Sequence, residues 1–312
     1  MSIDRIGTFA YSQLLFSQLQ KAELALDNSN RQVATGKLAS TYAGYGQKTA
    51  VMEAARSAGA KAEAHAAAAR VAAQRIDLQD TQLTQLSELA GHVRQTLTKA
   101  AADQDGTSLM TQLQGYFGQM VDTLNAKDAN GYIYAGDNNQ VAPITVSTLS
   151  ELAALPAVSG AFANGSVTSS LRIGENQTVQ VGMLASDIGT ELFALFRQAA
   201  QFDASGSGPF DAKTTAAQQS FLETSIQTAV AAASAVNADA AANGIRYQVV
   251  QTAAEQMQAF STVHKDFVSN IEDVNIGEAM AKLQQQQIAL QAAFQMTSKL
   301  NQLSPIDYLP MY

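Results

Sequence analysis

The chain has 312 residues, 46% of them hydrophobic, which is enough apolar material for a sizeable core in one large or two modest domains. A net charge of -8 without any Lys/Arg cluster among aromatics argues against a nucleic-acid partner, and no run approaches the ~20 apolar residues of a spanning helix, which argues against membrane insertion. Cysteine is absent, which excludes disulfides, thiolate nucleophiles and cysteine metal sites, while abundant alanine without tryptophan suits closely packed long helices.

At the N-terminus, Met1 to Gln20 carries Asp4, Arg5 and scattered Ser and Gln where a signal peptide needs an apolar stretch, so a cleaved leader is not expected. Leu15, Leu19, Ala22, Leu26 and Val33 form an amphipathic stripe that stops at Thr35-Gly36. From Val51, the positions Ala55, Ala58, Ala62, His65, Ala69, Ala72, Ile76, Gln79, Leu83, Leu86, Ala90, Val93, Leu97 and Ala100 follow alternating steps of four and three, a heptad seam. After a break at Asp103-Gln104-Asp105-Gly106, the spacing of Met110, Leu113, Phe117, Met120 and Leu124 predicts a shorter helix folding back on the first. From Gly131 the character changes: Tyr132-Ile133-Tyr134, Ile144-Thr145-Val146, Leu171-Arg172-Ile173 and Thr178 to Val181 are β-rich runs between Gly/Asn/Asp turns, predicting a small β-rich module over 131–185. Leu192 to Ala200 is expected to add a short helix, and Asp203 to Phe210 is the loop into the next element.

A second seam runs through Leu222, Ile226, Ala229, Ala233, Val236, Ala240, Asn243, Tyr247, Val250, Ala254, Met257, Ser261, His264, Val268 and Ile271. Both seams contain seven heptads, and at about 1.5 Å per residue each predicts a helix of roughly 70 to 75 Å. Equal lengths on either side of an insert predict an antiparallel pair. Ile276, Met280, Leu283, Leu290 and Phe294 form a last stripe before Ser304-Pro305. Neither terminal stripe can bury its face alone, so each must pair with the other, with a neighbouring molecule, or with both.

Chemistry finds little foothold. His65 and His264 fall on the seams, where a packed residue outweighs a ligand; His92 lies just off the first seam, where a surface residue is the default; no zinc signature or Gly-x-Ser-x-Gly elbow occurs. The Gln284 to Gln287 run reads equally as a source of amide hydrogen bonds between helices and as a solvated face. An enzyme is not expected and no cofactor or metal is implied.

Gln32-Val33-Ala34-Thr35-Gly36-Lys37 resembles the segment in which the first helix of the flagellin superfamily closes. Gly131-Tyr132-Ile133-Tyr134-Ala135-Gly136 is similar to its entry into a β-rich region, and Glu272 to Ala279 with the following Leu283 to Ala292 resembles its acidic turn and Gln-rich last helix. Within that superfamily, Leu303-Ser304-Pro305-Ile306-Asp307-Tyr308-Leu309 and the modest insert look most like the hook-filament junction proteins, also called hook-associated protein 3. Gly44-Tyr45-Gly46-Gln47-Lys48-Thr49 departs from the pattern, standing where an Asp-Asp pair is common.

The resemblance implies a mainly α fold: an elongated antiparallel helical bundle or coiled coil with a small β-rich outer module and terminal helices that pair in the assembly. The expected domains are 1–40 with 273–312 as an inner axial assembly domain, 41–130 with 186–272 as a helical rod, and 131–185 as the outer module. It further implies a structural role joining hook to filament, with self, a preceding hook-associated protein and flagellin as partners. Delivery would use an export chaperone and the flagellar type III apparatus, to an extracellular location. The expected assembly interface comprises Leu15, Leu19, Leu26, Val33, Leu283, Leu290, Phe294, Leu300 and Tyr308. Rival readings are a filament flagellin of reduced size and a secreted rod protein whose β-rich module binds a glycan or receptor.

Overall fold

The computed structural model describes residues 3–174 and 177–302. Its helices are α1 (Ile3–Thr35), α2 (Lys48–Asp103), α3 (Leu109–Leu124), α4 (Leu149–Ala154), α5 (Ala185–Asp203), α6 (Ala216–Glu272) and α7 (Ile276–Gln302). Four short strands, β1 (Lys127–Asp128), β2 (Gly131–Tyr132), β3 (Ser170–Arg172) and β4 (Thr178–Gln180), complete a mainly helical fold with small β-hairpins. The chain divides into two compact units, one of Met1–Lys61 with Phe260–Tyr312 and one of Ala62–Ala259.

In the Ala62–Ala259 unit the two seams meet. Ala69, Ala72, Ile76, Leu83, Leu86, Ala90, Val93 and Leu97 on α2 are buried, as are Leu222, Ala229, Val236, Val250 and Ala254 on α6. The helices run antiparallel, since Arg70 Nη2 donates to Gln258 Oε1 (2.8 Å), Asn243 Nδ2 to the carbonyl of Ile76 (3.0 Å) and Ser87 Oγ to Asn237 Oδ1 (2.7 Å). Small alanines at the contact let two backbones approach closely over this length. Beyond Leu83 the core thickens because α3 and α5 add bulk: Phe117 meets Phe193 and Phe196 edge-on, with ring centres 5.2 and 5.5 Å apart. The helix expected at 192–200 is the centre of the 19-residue α5.

The β content is sparser than the sequence pattern suggests. β1 pairs antiparallel with β2 (Lys127 opposite Tyr132), and β3 with β4 (Leu171 opposite Val179), while Ile144 makes only a single bridge to Phe162. The Ile144-Thr145-Val146 run cannot extend its pairing because α4 begins directly after it. The hydroxyl of Thr148 accepts from the Glu151 N–H and the Glu151 carboxylate accepts from the Thr148 N–H, a reciprocal cap that starts the helix.

In the other unit, α1 and α7 pack against each other. Gly36, at φ +68°, takes the left-handed conformation that ends α1. The side-chain carbonyl of Asn275 accepts from the Gly277 and Glu278 N–H groups, satisfying free donors in the first turn of α7. Between these two ends the chain forms an antiparallel bridge: the Leu38 N–H donates to the Glu272 carbonyl (2.6 Å) and the Val274 N–H to the Gly36 carbonyl (2.9 Å). That bridge sets α1 and α7 antiparallel. A small core of Met52, Ala55 and Val268, with Tyr45 and Ile271 against it, joins the start of α2 to the end of α6. Val51, the expected first seam position, is exposed, and Met52 is buried in its place because the longer side chain reaches this core.

Candidate assembly surface

The terminal stripes do two things at once. Leu15, Leu19, Leu26 and Val33 of α1 and Leu283 and Leu290 of α7 are half-buried in the unit where these two helices pack together. Phe294 remains 49% exposed. The side chain of Leu300 and the whole of Tyr308 lie outside the described residues. The expected interface left out a second set, all exposed: Leu14, Phe16 and Leu24 on α1, Ile288 and Met296 on α7, and Ile276 and Met280, which the sequence places in the last stripe. The α7 set recurs at intervals of four and eight residues, so it forms a ridge of the kind that inserts into a groove on another helix. The signal was present in the sequence, since these helices carry more apolar residues than one partner can cover.

Among the described residues, fourteen of the twenty-one exposed large apolar side chains belong to this unit, including Phe260, Val263 and Phe267 at steps of three and four on α6. A soluble monomer seldom displays so much apolar surface without a partner for it. Charge on the terminal pair is balanced. Asp4, Glu23 and Asp27 offset Arg5, Lys21 and Arg31 on α1, and α7 carries only Glu278 against Lys282 and Lys299. The net charge of -8 therefore resides elsewhere in the chain, and copies of these helices can approach without strong repulsion. Of the glutamine run, Gln284, Gln285 and Gln287 are exposed and Gln286 is half-buried.

At the root of the terminal pair, a four-residue ionic clasp reinforces the backbone bridge. Glu272, buried at the end of α6, accepts from Lys37 Nζ (3.1 Å) and from the Arg56 guanidinium, while Lys37 also reaches Asp273 Oδ1 at 2.7 Å. The hydrogen bond to Asp273, followed by that to Glu272, raises the Lys37 ammonium above its usual value. The same ammonium, helped by the Ser269 hydroxyl, holds the Asp273 carboxyl below the ordinary aspartate value. Arg56 is raised chiefly by its hydrogen bond to Glu272. Sequence reading singled out Lys37 and Glu272 only as parts of motifs, because nothing local indicates that residues 235 positions apart will pair.

The histidines are placed apart. His65 is half-buried on α2, His264 half-buried beside Phe260, and His92 exposed against Tyr116. Among the described residues no group of His, Asp or Glu is arranged to hold a metal ion, and no helix is long and apolar enough to cross a membrane.

Residues 6–138 match the bacterial flagellin N-terminal helical region and residues 224–309 the bacterial flagellin C-terminal helical region, together more than two thirds of the chain, in the order the two regions hold in that family. The chain belongs to the flagellin superfamily. No curated protein sequence matches it. Among solved structures it is similar to a protein described as a flagellar hook-associated protein from Vibrio parahaemolyticus, at 19% identity and a TM-score of 0.53, over 70% of this chain and 92% of that one. FlgL of Bacillus cereus aligns at 11% identity and a TM-score of 0.48, over 72% and 98% of the two chains. At such identities the likeness to the Vibrio protein is one of fold. As a flagellin-family protein, the chain is a structural component of the bacterial flagellum.

Proposed function

We propose that this flagellar component joins hook to filament, and that it does so by packing the exposed apolar ridge of α7, with the matching residues of α1, into the terminal helices of neighbouring axial subunits. The observation that carries this reading is the uncovered, charge-balanced apolar surface of the α1·α7 pair, which buries one stripe internally and leaves Ile276, Met280, Ile288 and Met296 for a second partner. The interface then comprises these residues together with Leu15, Leu19, Leu26, Val33, Leu283, Leu290, Phe294, Leu300 and Tyr308. Its partners are copies of itself, a preceding hook-associated protein and flagellin, reached after export by a chaperone and the type III apparatus to the cell exterior.

The junction role is favoured over a filament role by the ending Leu303 to Leu309 and by the modest segment between β1 and α5. A junction subunit faces unlike neighbours above and below, whereas a filament subunit must be complementary to itself without limit. Imaging of the tagged protein in flagellated cells is expected to give a narrow band beside the hook, and concentrated purified protein is expected to form no long tubes by electron microscopy. Label along the whole filament, or long tubes of this chain alone, would replace the junction reading with that of a reduced filament flagellin.

A further inference from the structure

The apolar seam between α2 and α6 is interrupted inside the Ala62–Ala259 unit. One core contains Ala69, Ala72 and Ile76 of α2 with Val250, Ala253 and Ala254 of α6; the other begins at Leu83 on α2 and at Val236 on α6. Between them lie Gln79 and Asn243, both fully buried, and Gln82, 8% exposed. Asn243 Nδ2 donates to the Ile76 carbonyl, but among the described residues its Oδ1, both amide atoms of Gln79 and Oε1 of Gln82 have no hydrogen-bond partner in the protein. Tyr134, also fully buried, approaches the Gln79 backbone carbonyl only at 3.5 Å.

A buried amide without a partner is costly, and several on facing seam positions are rarely left bare. Gln79 offers both a donor and an acceptor, and Asn243 and Gln82 offer acceptors, which together supply the two to four polar contacts that a buried water needs. We propose that the Gln79–Gln82–Asn243 layer is a binding site for ordered internal water and that the bundle opens there, so that the two apolar cores on either side behave as separate cooperative blocks. The blocks differ in strength. The Ala69–Ile76 side takes four of its eight buried residues from alanine and the rest from Ile76, Ile173, Val181 and Val250, whereas the Leu83 side includes Phe117, Phe193 and Phe196. A water layer couples them less tightly than continuous side-chain packing would.

A crystal structure of the full chain, at a resolution that locates water, is expected to show at least one water bridging Gln79 and Asn243; a direct amide-to-amide bond with no water between them overturns the site. Native-state hydrogen exchange on the full chain tests the opening. Amides in 62–76 and 247–259 are expected to exchange faster than those in 83–97 and 222–236, with a step across 77–82 and 240–246. The Q79L/N243L variant is expected to slow exchange of the alanine-rich block by about tenfold or more, because continuous packing then ties it to its stronger neighbour. Unchanged or faster exchange of that block in a folded variant would overturn the weak-point assignment.

Discussion

The two units solve the same packing problem in opposite ways. In the Ala62–Ala259 unit, the long helices gain α3, α5 and the hairpin segments as covers, and large side chains such as Phe117, Tyr134, Phe193 and Phe196 are fully buried. In the unit formed by both chain ends, α1 and α7 have each other and little else, so their inward stripes are half-buried and their outward rows remain in solvent. The difference teaches that amphipathicity alone does not say where a helix face ends up. A helix with one apolar stripe needs one partner; a helix with two stripes needs two, and here the described residues do not supply the second.

Substitutions that distinguish the two solutions should differ greatly in their cost to the monomer. The largest effect is expected at Phe117, whose ring is fully buried between Phe193 and Phe196. Phe117→Ala should destabilise the chain by about 3–5 kcal/mol, through lost burial and the cavity left behind. Denaturant unfolding followed by circular dichroism measures this; a loss below about 1 kcal/mol would mean that the site is not packed as a core.

A smaller loss is expected at the clasp. Glu272→Ala removes the shared acceptor of Lys37 and Arg56, but both cations are partly exposed and water can replace the carboxylate, so the cost should be about 1–2 kcal/mol. It should also speed proteolysis of the segment around Gly36 to Leu38, which the clasp holds against Asp273. Equal thermal stability and equal proteolysis in variant and parent would remove the clasp from the account.

Acidification probes the same place more gently. The Asp273 carboxyl is held low by Lys37, so its contribution is fully present above the ordinary aspartate value of 3.8 and disappears as pH falls through the depressed folded value. Lys37, raised from 10.5, has the opposite sign: its contribution is present below that value and lost as pH climbs through the raised one. Melting temperatures of the parent and of Asp273→Asn should therefore differ slightly near neutral pH and converge below about pH 4. A constant gap across that range would assign the effect of the substitution to something other than the carboxylate charge.

How much of this was written in the sequence differs between elements. The seams were legible because a repeat sustained over seven heptads leaves few alternatives, and the buried positions from Ala69 to Leu97 follow it closely. α4 was missed although Thr148 and Glu151 carry a capping-box signature, because its six residues are too few to display a period. The extent of the hairpins was overestimated, since Ile144-Thr145-Val146 has strand propensity but no neighbouring strand beyond the single bridge to Phe162. For the assembly surface, the stripes themselves were readable. Which stripe turns inward was not, because that depends on the bridge between Lys37 and Asp273 at opposite ends of the chain.

That last distinction gives the smallest expected effect on the monomer and the sharpest test of the comparison. Ile288 is 63% exposed and Met296 61%, so an aspartate at either position stays in water in the free chain and should change monomer stability by no more than about 0.5 kcal/mol. Leu290 is half-buried in the helix pair, so Leu290→Asp places a carboxylate against α1 and should loosen the pair even before assembly. If the outward row is the intersubunit face, both kinds of substitution should prevent incorporation into flagella, but only Leu290→Asp should increase proteolysis of α1 and α7 in the purified chain. Motility and immunolabelling of isolated flagella report incorporation, and limited digestion reports the pair. Normal flagella with Ile288→Asp and Met296→Asp combined would place the second partner elsewhere on this unit, with the exposed Phe260, Val263 and Phe267 row of α6 as the next surface to test.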